Sequence, residues 1–124
     1  DALPISAWER GSWESVGKDL EELKALSGRH GFRVAVVFFP VAFQVYASFR
    51  EDKPQRLLAE MARERGFLFL DLLPFLRNFR LREKDCYYDW CHPTPKTNDF
   101  IGRLLSGFLQ KNMPGTDDPA VPES

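Results

Sequence analysis

RVAVVFFP, residues 33–40, is the stretch that decides the fold of this chain. From Val34 to Phe39 it is continuously apolar and rich in β-branched and aromatic side chains, whereas a half-exposed strand would alternate apolar and polar residues. The pattern predicts a central strand of a parallel sheet that is covered on both faces. Pro40 ends this strand because proline has no N–H to donate to a neighbouring strand. A second short apolar strand is predicted from Phe67 to Leu70, ending at Asp71.

Apolar residues recur at helical spacing before, between and after the two strands. This spacing predicts an amphipathic helix over residues 12–31, with Ser12 as N-cap and Gly31 as the left-handed stop. A second helix is predicted from Pro54 to Arg65, and the segment 41–52 is interpreted as a connection with room for a short helix. The apolar face of the first helix is formed by Trp13, Val16, Leu20, Leu23 and Leu26.

The C-terminal part is predicted to hold a short helix over 74–80, an irregular loop over 81–93 and a closing helix that starts after Thr94. Strand, helix and strand make one βαβ unit, whose strands run parallel. Two parallel strands do not form an independent buried sheet. The expected fold class is therefore α/β: a three-layer, doubly wound (flavodoxin-like) parallel sheet, present as its C-terminal half with about two parallel strands and three to four helices.

The 124 residues suffice for one domain. There is no initiator methionine, and residues 1–6 read like the translation of a sequencing-adapter end, so they are interpreted as a non-native scar. Residues 7–111 are assigned to the C-terminal half of the domain. The composition then shifts to proline, glycine, aspartate and serine, which predicts a disordered tail over 112–124.

Charge and hydropathy argue against two classes of partner. The formal net charge is −1 with both signs interspersed, so no basic stripe would attract nucleic acid. No apolar run approaches the roughly 20 residues that span a bilayer, and no transmembrane segment is expected. Oligomeric state and compartment are left open, with an extracytoplasmic location among the alternatives.

Cys86 and Cys91 lie five residues apart in one loop. Two alternatives stay open for them: reduced thiols, or a small disulfide that would imply an oxidising compartment. A zinc site built from Cys86, Cys91 and His92 is disfavoured, because a second paired ligand motif is missing and a structural site needs four ligands. We therefore expect no metal and no cofactor.

The segment with the most side chains that could act in catalysis is YDWCHPT, residues 88–94, directly before the last helix. A carboxylate three residues before a histidine can set its oxygen against the imidazole Nδ1–H. That contact fixes the tautomer, leaves Nε2 free as a general base and stabilises the imidazolium form. The loop follows a βαβ unit, outside the strand ends where α/β sheets bind ligands. Asp89 and His92 are therefore predicted to be a catalytic acid–base pair.

The same loop carries a family resemblance. DWCHPT, residues 89–94, with Asn98 and the helix 100–109, resembles the last conserved block of the SGNH/GDSL hydrolases, where an Asp-x-x-His-Pro loop leads into the C-terminal helix. RVAVVFFP resembles the family's fourth strand with its trailing proline, and GFLFLDLLP, residues 66–74, resembles its fifth. The likeness covers residues 12–110 in the right order. It implies that Asp89 and His92 are the acid and base of a Ser-His-Asp triad.

Departures from the family pattern concern the nucleophile. The family's glycine-aspartate-serine block, oxyanion-hole glycine and asparagine block lie N-terminal to everything matched here, and Thr97 stands where the family often has glycine. No serine of the matched region follows a buried strand at a sharp turn, where an exposed nucleophile is expected. The nucleophile is therefore expected to be missing from this chain. The serines considered are Ser12, Ser15 and Ser27 on the first helix, Ser48 in a connection and Ser106 in the last helix.

Other polar residues have structural interpretations. His30 is a cation near the negative end of a helix dipole. Asp71 caps the turn after its strand, with a pocket-lining carboxylate as the alternative. Tyr88 and Trp90 either line an acyl or sugar pocket or pack within the loop.

Three functions follow as alternatives. The first is hydrolysis of a small-molecule or glycan acyl ester by the full-length parent, a serine esterase to which this chain supplies Asp89 and His92; the chain alone is then expected to be inactive. The second is acyl transfer onto a cell-envelope polysaccharide by the same fold, an O-acetyltransferase. The third is an inactive relic or binding domain.

Overall fold

The computed structural model describes residues 10–48 and 52–113. Within these ranges the chain folds into two strands and five α-helices, after a short 3-10 turn at Arg10–Trp13. The predicted α/β class is confirmed, and the connection after the first strand does contain a short helix. The helices are α1 (Glu14–His30), α2 (Ala42–Tyr46), α3 (Lys53–Glu64), α4 (Leu73–Phe79) and α5 (Pro95–Asn112), and the strands are β1 (Ala35–Phe38) and β2 (Leu68–Asp71).

The two strands pair in parallel, with Ala35 opposite Leu68 and Phe38 opposite Asp71. The parallel pairing expected of the βαβ unit is thus confirmed. The expectation of a fully buried central strand is not met among the described residues, because all four residues of β1 are only partly buried. In the described part of the chain β2 is the sole neighbour of β1, whereas a fully buried strand has neighbours at both edges and packing on both faces.

Side-chain alternation along the strands brings helices to both faces of this small sheet. Val36 and Phe69 pack with residues of α1 and α3, whereas Val37 and Leu70 pack with residues of α4 and α5. The sheet therefore lies between two helical layers. One cluster is centred on Leu20, Ala62 and Phe67, and the other on Val45, Leu70, Leu72, Leu73, Leu76 and Ile101.

Helix ends follow the sequence signals with one exception. Gly31 closes α1 at a φ of 70° and Gly66 follows α3 at 74°, both in the left-handed region that favours glycine. Thr94 caps α5, its hydroxyl accepting from the Thr97 N–H. The prediction that Ser12 caps α1 is wrong. Trp13 holds that position and makes no side-chain capping hydrogen bond, because the 3-10 turn precedes the helix.

The C-terminal boundary lies further along than expected. Asn112 still belongs to α5, and the Met113 N–H bonds the Leu109 carbonyl at 2.8 Å, so the tail does not begin at residue 112. The expected scar at 1–6 and the rest of the expected tail lie outside the described residues. Among the described helices, none combines the length and the apolar character that crossing a membrane requires.

We expect Leu72→Ala to lower the free energy of unfolding by about 2–5 kcal/mol, because truncating a fully buried leucine leaves a cavity in the cluster beneath α4 and α5. Leu81→Ala is the matched control at a leucine that is 74% exposed, and it should change that free energy by less than about 0.5 kcal/mol. Urea denaturation followed by circular dichroism measures both. Equal effects of the two substitutions would contradict this core.

Candidate active site

The loop that carries Asp89 and His92 is a narrow antiparallel turn. Tyr87 and Pro93 form an isolated antiparallel bridge. The Tyr88 N–H bonds the His92 carbonyl at 2.8 Å, and the Thr94 N–H bonds the Cys86 carbonyl at 3.0 Å. The two arms therefore hold each other, and residues 89–91 form the tip between them.

Asp89 accepts three hydrogen bonds at this tip. Its Oδ1 accepts from the main-chain N–H of Cys91 at 2.9 Å and from that of His92 at 2.8 Å. Its Oδ2 lies 2.7 Å from Nδ1 of the His92 ring. The predicted contact between carboxylate and imidazole is present, and one side chain both shapes the turn and orients the ring.

These hydrogen bonds stabilise the charged form of Asp89. The Cys91 N–H first, then the His92 ring and the His92 N–H, lower the pKa of the Asp89 carboxyl to about 2. All three donors stabilise the charged form, so Asp89 is an ionised carboxylate at neutral pH.

An ionised carboxylate has no proton to give, so the short contact requires a proton on Nδ1 of His92. In a neutral ring Nε2 then carries a lone pair. The His92 side chain is 72% exposed, and within the described residues no hydrogen bond engages Nε2. An exposed ring held in this way would be able to act as a general base through Nε2.

The site lies at the carboxyl end of β1. The Tyr87 hydroxyl donates to the Pro40 carbonyl at 2.7 Å, and the Ala42 N–H bonds the Trp90 carbonyl at 2.8 Å. Both contacts fasten the loop to the residues that follow the strand. Ligands of α/β sheets bind at this edge, where the sequence placed the loop.

A second group of contacts holds Cys86 at the base of the loop, and sequence reasoning missed it. The Tyr46 hydroxyl accepts from the Cys86 N–H at 2.8 Å and donates to the Lys84 carbonyl at 2.9 Å. The fully buried Thr97 hydroxyl donates to the Cys86 carbonyl at 2.8 Å. Thr97 therefore anchors the base of the loop. No local spacing indicates these partners, because Tyr46 lies 40 residues from Cys86.

Both cysteines are free thiols, in agreement with the reduced alternative. Cys86 is buried, and its Sγ donates to the Glu83 carbonyl at 3.1 Å. Cys91 is partly exposed, and its Sγ lies 3.4 Å from Nδ1 of His92. Burial and then the Asp89 charge raise the pKa of the Cys91 thiol, so Cys91 lacks the environment of an activated nucleophile.

Other residues considered from the sequence lie apart from this contact. Asp71 accepts from the Leu73 N–H at 3.0 Å, as a turn cap does, and also lines a cavity of about 180 Å³ with Asp52 and Arg77. Burial raises the pKa of the Asp71 carboxyl. His30 is exposed in the last turn of α1.

No serine in the described part of the chain bonds the His92 ring. Ser12 and Ser15 are exposed near the start of α1, and the Ser27 hydroxyl donates to the Phe32 carbonyl. Ser48 is exposed in the connection after α2, and Ser106 is exposed on α5. None of these serines is therefore placed to act as the nucleophile.

Around the loop tip, aromatic side chains are exposed. Tyr88 is 70% exposed and Trp90 is 49% exposed. Phe39 and Phe43, which flank the Pro40 and Ala42 anchor points, are also exposed. Large apolar rings left in solvent around a polar site suit contact with a ligand.

Comparison with protein family models, curated proteins and solved structures found no match. The function is therefore inferred from the residues of this loop.

We expect the Asp89 carboxyl to titrate at about 2, and His92→Ala to raise that pKa only part of the way to its usual value, because the N–H groups of residues 91 and 92 remain. Since the folded pKa lies below the unfolded one, the stabilisation from these bonds is present at neutral pH and is lost as the pH falls through about 2. NMR of the carboxyl carbon against pH measures both values. An unshifted pKa in the unsubstituted chain would refute the three-bond geometry.

We also expect the neutral His92 ring to carry its proton on Nδ1, with Nε2 bare. Two-dimensional NMR that correlates ring nitrogens with ring protons distinguishes the tautomers. His30 is the internal reference, since no hydrogen bond to its ring is present among the described residues. Asp89→Ala should move the His92 proton to Nε2 because it removes the acceptor. The same tautomer in both forms of the chain would show that Asp89 does not orient the ring.

Proposed function

We propose that Asp89 and His92 are the acid and base of a Ser-His-Asp site that hydrolyses acyl esters. The proposal includes the larger fold: the described residues would be the C-terminal half of a doubly wound, flavodoxin-like sheet of the SGNH type. The observation that carries it is the 2.7 Å contact between Asp89 Oδ2 and His92 Nδ1, in a His92 side chain that is 72% exposed at the carboxyl end of β1.

In the proposed reaction a serine hydroxyl attacks the ester carbonyl while Nε2 of His92 removes its proton. Asp89 stabilises the resulting imidazolium without taking the proton itself. His92 then returns the proton to the leaving alcohol, and a water molecule activated in the same way releases the acid. The serine and the oxyanion donors would come from residues other than the described ones.

Two further observations support the proposal. Helices pack on both faces of the two-stranded sheet, as they do in a three-layer domain. The loop is fastened by Tyr87 and by the Ala42–Trp90 main-chain bond, so the ring is held by the scaffold and does not depend on a flexible segment.

A second candidate is acyl transfer onto a glycan, which the exposed rings of Tyr88 and Trp90 favour. Aromatic faces with polar tips suit the mixed apolar and polar surface of a sugar. The proton transfers at His92 would be the same, with a sugar hydroxyl in place of water.

A third candidate, an inactive relic or binding domain, is supported by the hydrogen bonds of the turn at Asp89. The two N–H bonds to Asp89 Oδ1 are those of an Asp turn and would persist without catalysis. Only a measurement of turnover separates this reading from the enzymatic ones.

The test is hydrolysis of p-nitrophenyl acetate by the complete protein. We expect His92→Ala and Asp89→Asn each to lower kcat by about 100-fold or more, the usual contribution of a positioned acid–base group. His30→Ala is the matched histidine control and should leave kcat unchanged. Unchanged turnover in His92→Ala would remove His92 from the mechanism, and an unsubstituted protein without turnover would support the relic.

A glycan acceptor in the same assay separates the two enzymatic candidates. Acetylated glycan formed at the expense of free acetate supports the transferase. Free acetate alone, at an unchanged rate, supports the hydrolase.

A further inference from the structure

Three different metal-binding groups meet on one side of the His92 ring. Asp89 offers a carboxylate oxygen, Cys91 its Sγ and His92 its Nδ1, and these atoms all lie within 4.8 Å of one another. The site is accessible, because Asp89 and His92 are exposed and Cys91 is partly exposed. Ester hydrolysis as proposed above uses Nε2 and leaves the Cys91 thiol without a role.

We propose that Asp89, Cys91 and His92 form a binding site for Zn²⁺ or a chemically similar thiophilic divalent cation. The site goes beyond the proposed hydrolase function and does not depend on it.

The distances suit a tetrahedral ion. With a Zn–S bond of about 2.3 Å and a Zn–N bond of about 2.0–2.1 Å, sulfur and nitrogen on one tetrahedral zinc lie about 3.6 Å apart. The observed separation of Cys91 Sγ and His92 Nδ1 is 3.4 Å. Two of the ligands therefore already have nearly the spacing that zinc requires.

The third ligand needs a small movement. An oxygen and a nitrogen on the same zinc lie about 3.4 Å apart, whereas Asp89 Oδ2 and His92 Nδ1 are separated by 2.7 Å. Rotation of the carboxylate opens this gap, while Oδ1 keeps its bonds to the N–H groups of residues 91 and 92. Three protein ligands leave the fourth position to water, as in open zinc sites.

The donor set selects the metal. Thiolate and imidazole favour Zn²⁺ and Co²⁺, whereas Mg²⁺ and Ca²⁺ prefer oxygen ligands alone. The ligands also differ from the combination of Cys86, Cys91 and His92 that the sequence disfavours. Cys86 is fully buried and bonded to the Glu83 carbonyl, and Asp89 takes its place.

The cation would replace the proton shared by Asp89 and His92. On binding, the thiol proton leaves to solvent, the ring proton moves from Nδ1 to Nε2 by exchange with water, and the metal bonds to Sγ, Nδ1 and a carboxylate oxygen. A neutral ring bound through Nδ1 carries its one proton on Nε2 and has no lone pair there. Metal binding and general-base action at His92 are therefore mutually exclusive.

The experiment is a titration of the full chain with Co²⁺ under a reductant that does not bind metals. We expect one equivalent to produce a thiolate-to-cobalt charge-transfer band and the visible bands of a tetrahedral ion, and Zn²⁺ to remove both. Cys91→Ser should abolish the charge-transfer band, and it should weaken Zn²⁺ binding at least about tenfold, as loss of even an outer partner does in known sites.

The control variants are a matched thiol, Cys86→Ser, and a matched histidine, His30→Ala. Both should keep the cobalt spectrum, and circular dichroism shows whether each variant is folded. If Cys86→Ser does not fold, the cobalt spectra of His30→Ala and of the unsubstituted chain still show whether the cation binds. No charge-transfer band in the unsubstituted chain, or an equal band in folded Cys91→Ser, would overturn the proposal.

This readout needs no ester turnover. A cobalt spectrum without esterase activity in the complete protein would support the metal site and contradict the hydrolase. Turnover that depends on His92, without a cobalt spectrum, would support the hydrolase and contradict the metal site.

Discussion

The carboxylate of Asp89 is the group on which the loop depends. Its two oxygens accept from two main-chain N–H groups and from the His92 ring at the same time. The main-chain bonds shape the turn, and the ring bond places the proton on Nδ1. The carboxyl is charged at neutral pH, so each of these bonds is charge-assisted, and together they lower its pKa to about 2.

The scaffold turns this local arrangement into a site. A short turn with a carboxylate would hold its histidine anywhere on a surface. Here Tyr87 bonds the Pro40 carbonyl directly after β1, and Tyr46 and Thr97 hold the two sides of Cys86 at the base of the loop. The ring therefore lies at the carboxyl end of a parallel strand, the edge at which α/β sheets bind ligands.

The two proposals assign different occupants to the two nitrogens of one ring. In the hydrolase, Nδ1 keeps its proton against Asp89 and Nε2 faces the reactant. In the metal site, Nδ1 binds the cation with Cys91 and Asp89, and Nε2 holds the proton. The Cys91 thiol, 3.4 Å from Nδ1, has no role in the hydrolase but supplies a ligand in the metal site.

The amino-acid sequence by itself determined the α/β class, the parallel pairing, the glycine stops at Gly31 and Gly66 and the contact between Asp89 and His92. All of these follow from local patterns: apolar runs, helical spacing, turn residues and a carboxylate three residues before a histidine. The sequence pattern predicted the wrong N-cap for α1, because a 3-10 turn precedes the helix and places Trp13 at that position. Only the tertiary structure decided that Tyr46, Tyr87 and Thr97 hold the loop, and that Cys91 faces the ring while Cys86 is buried. The physical reason is that those bonds join residues up to 47 positions apart, and which of them meet depends on how the helices pack against the sheet.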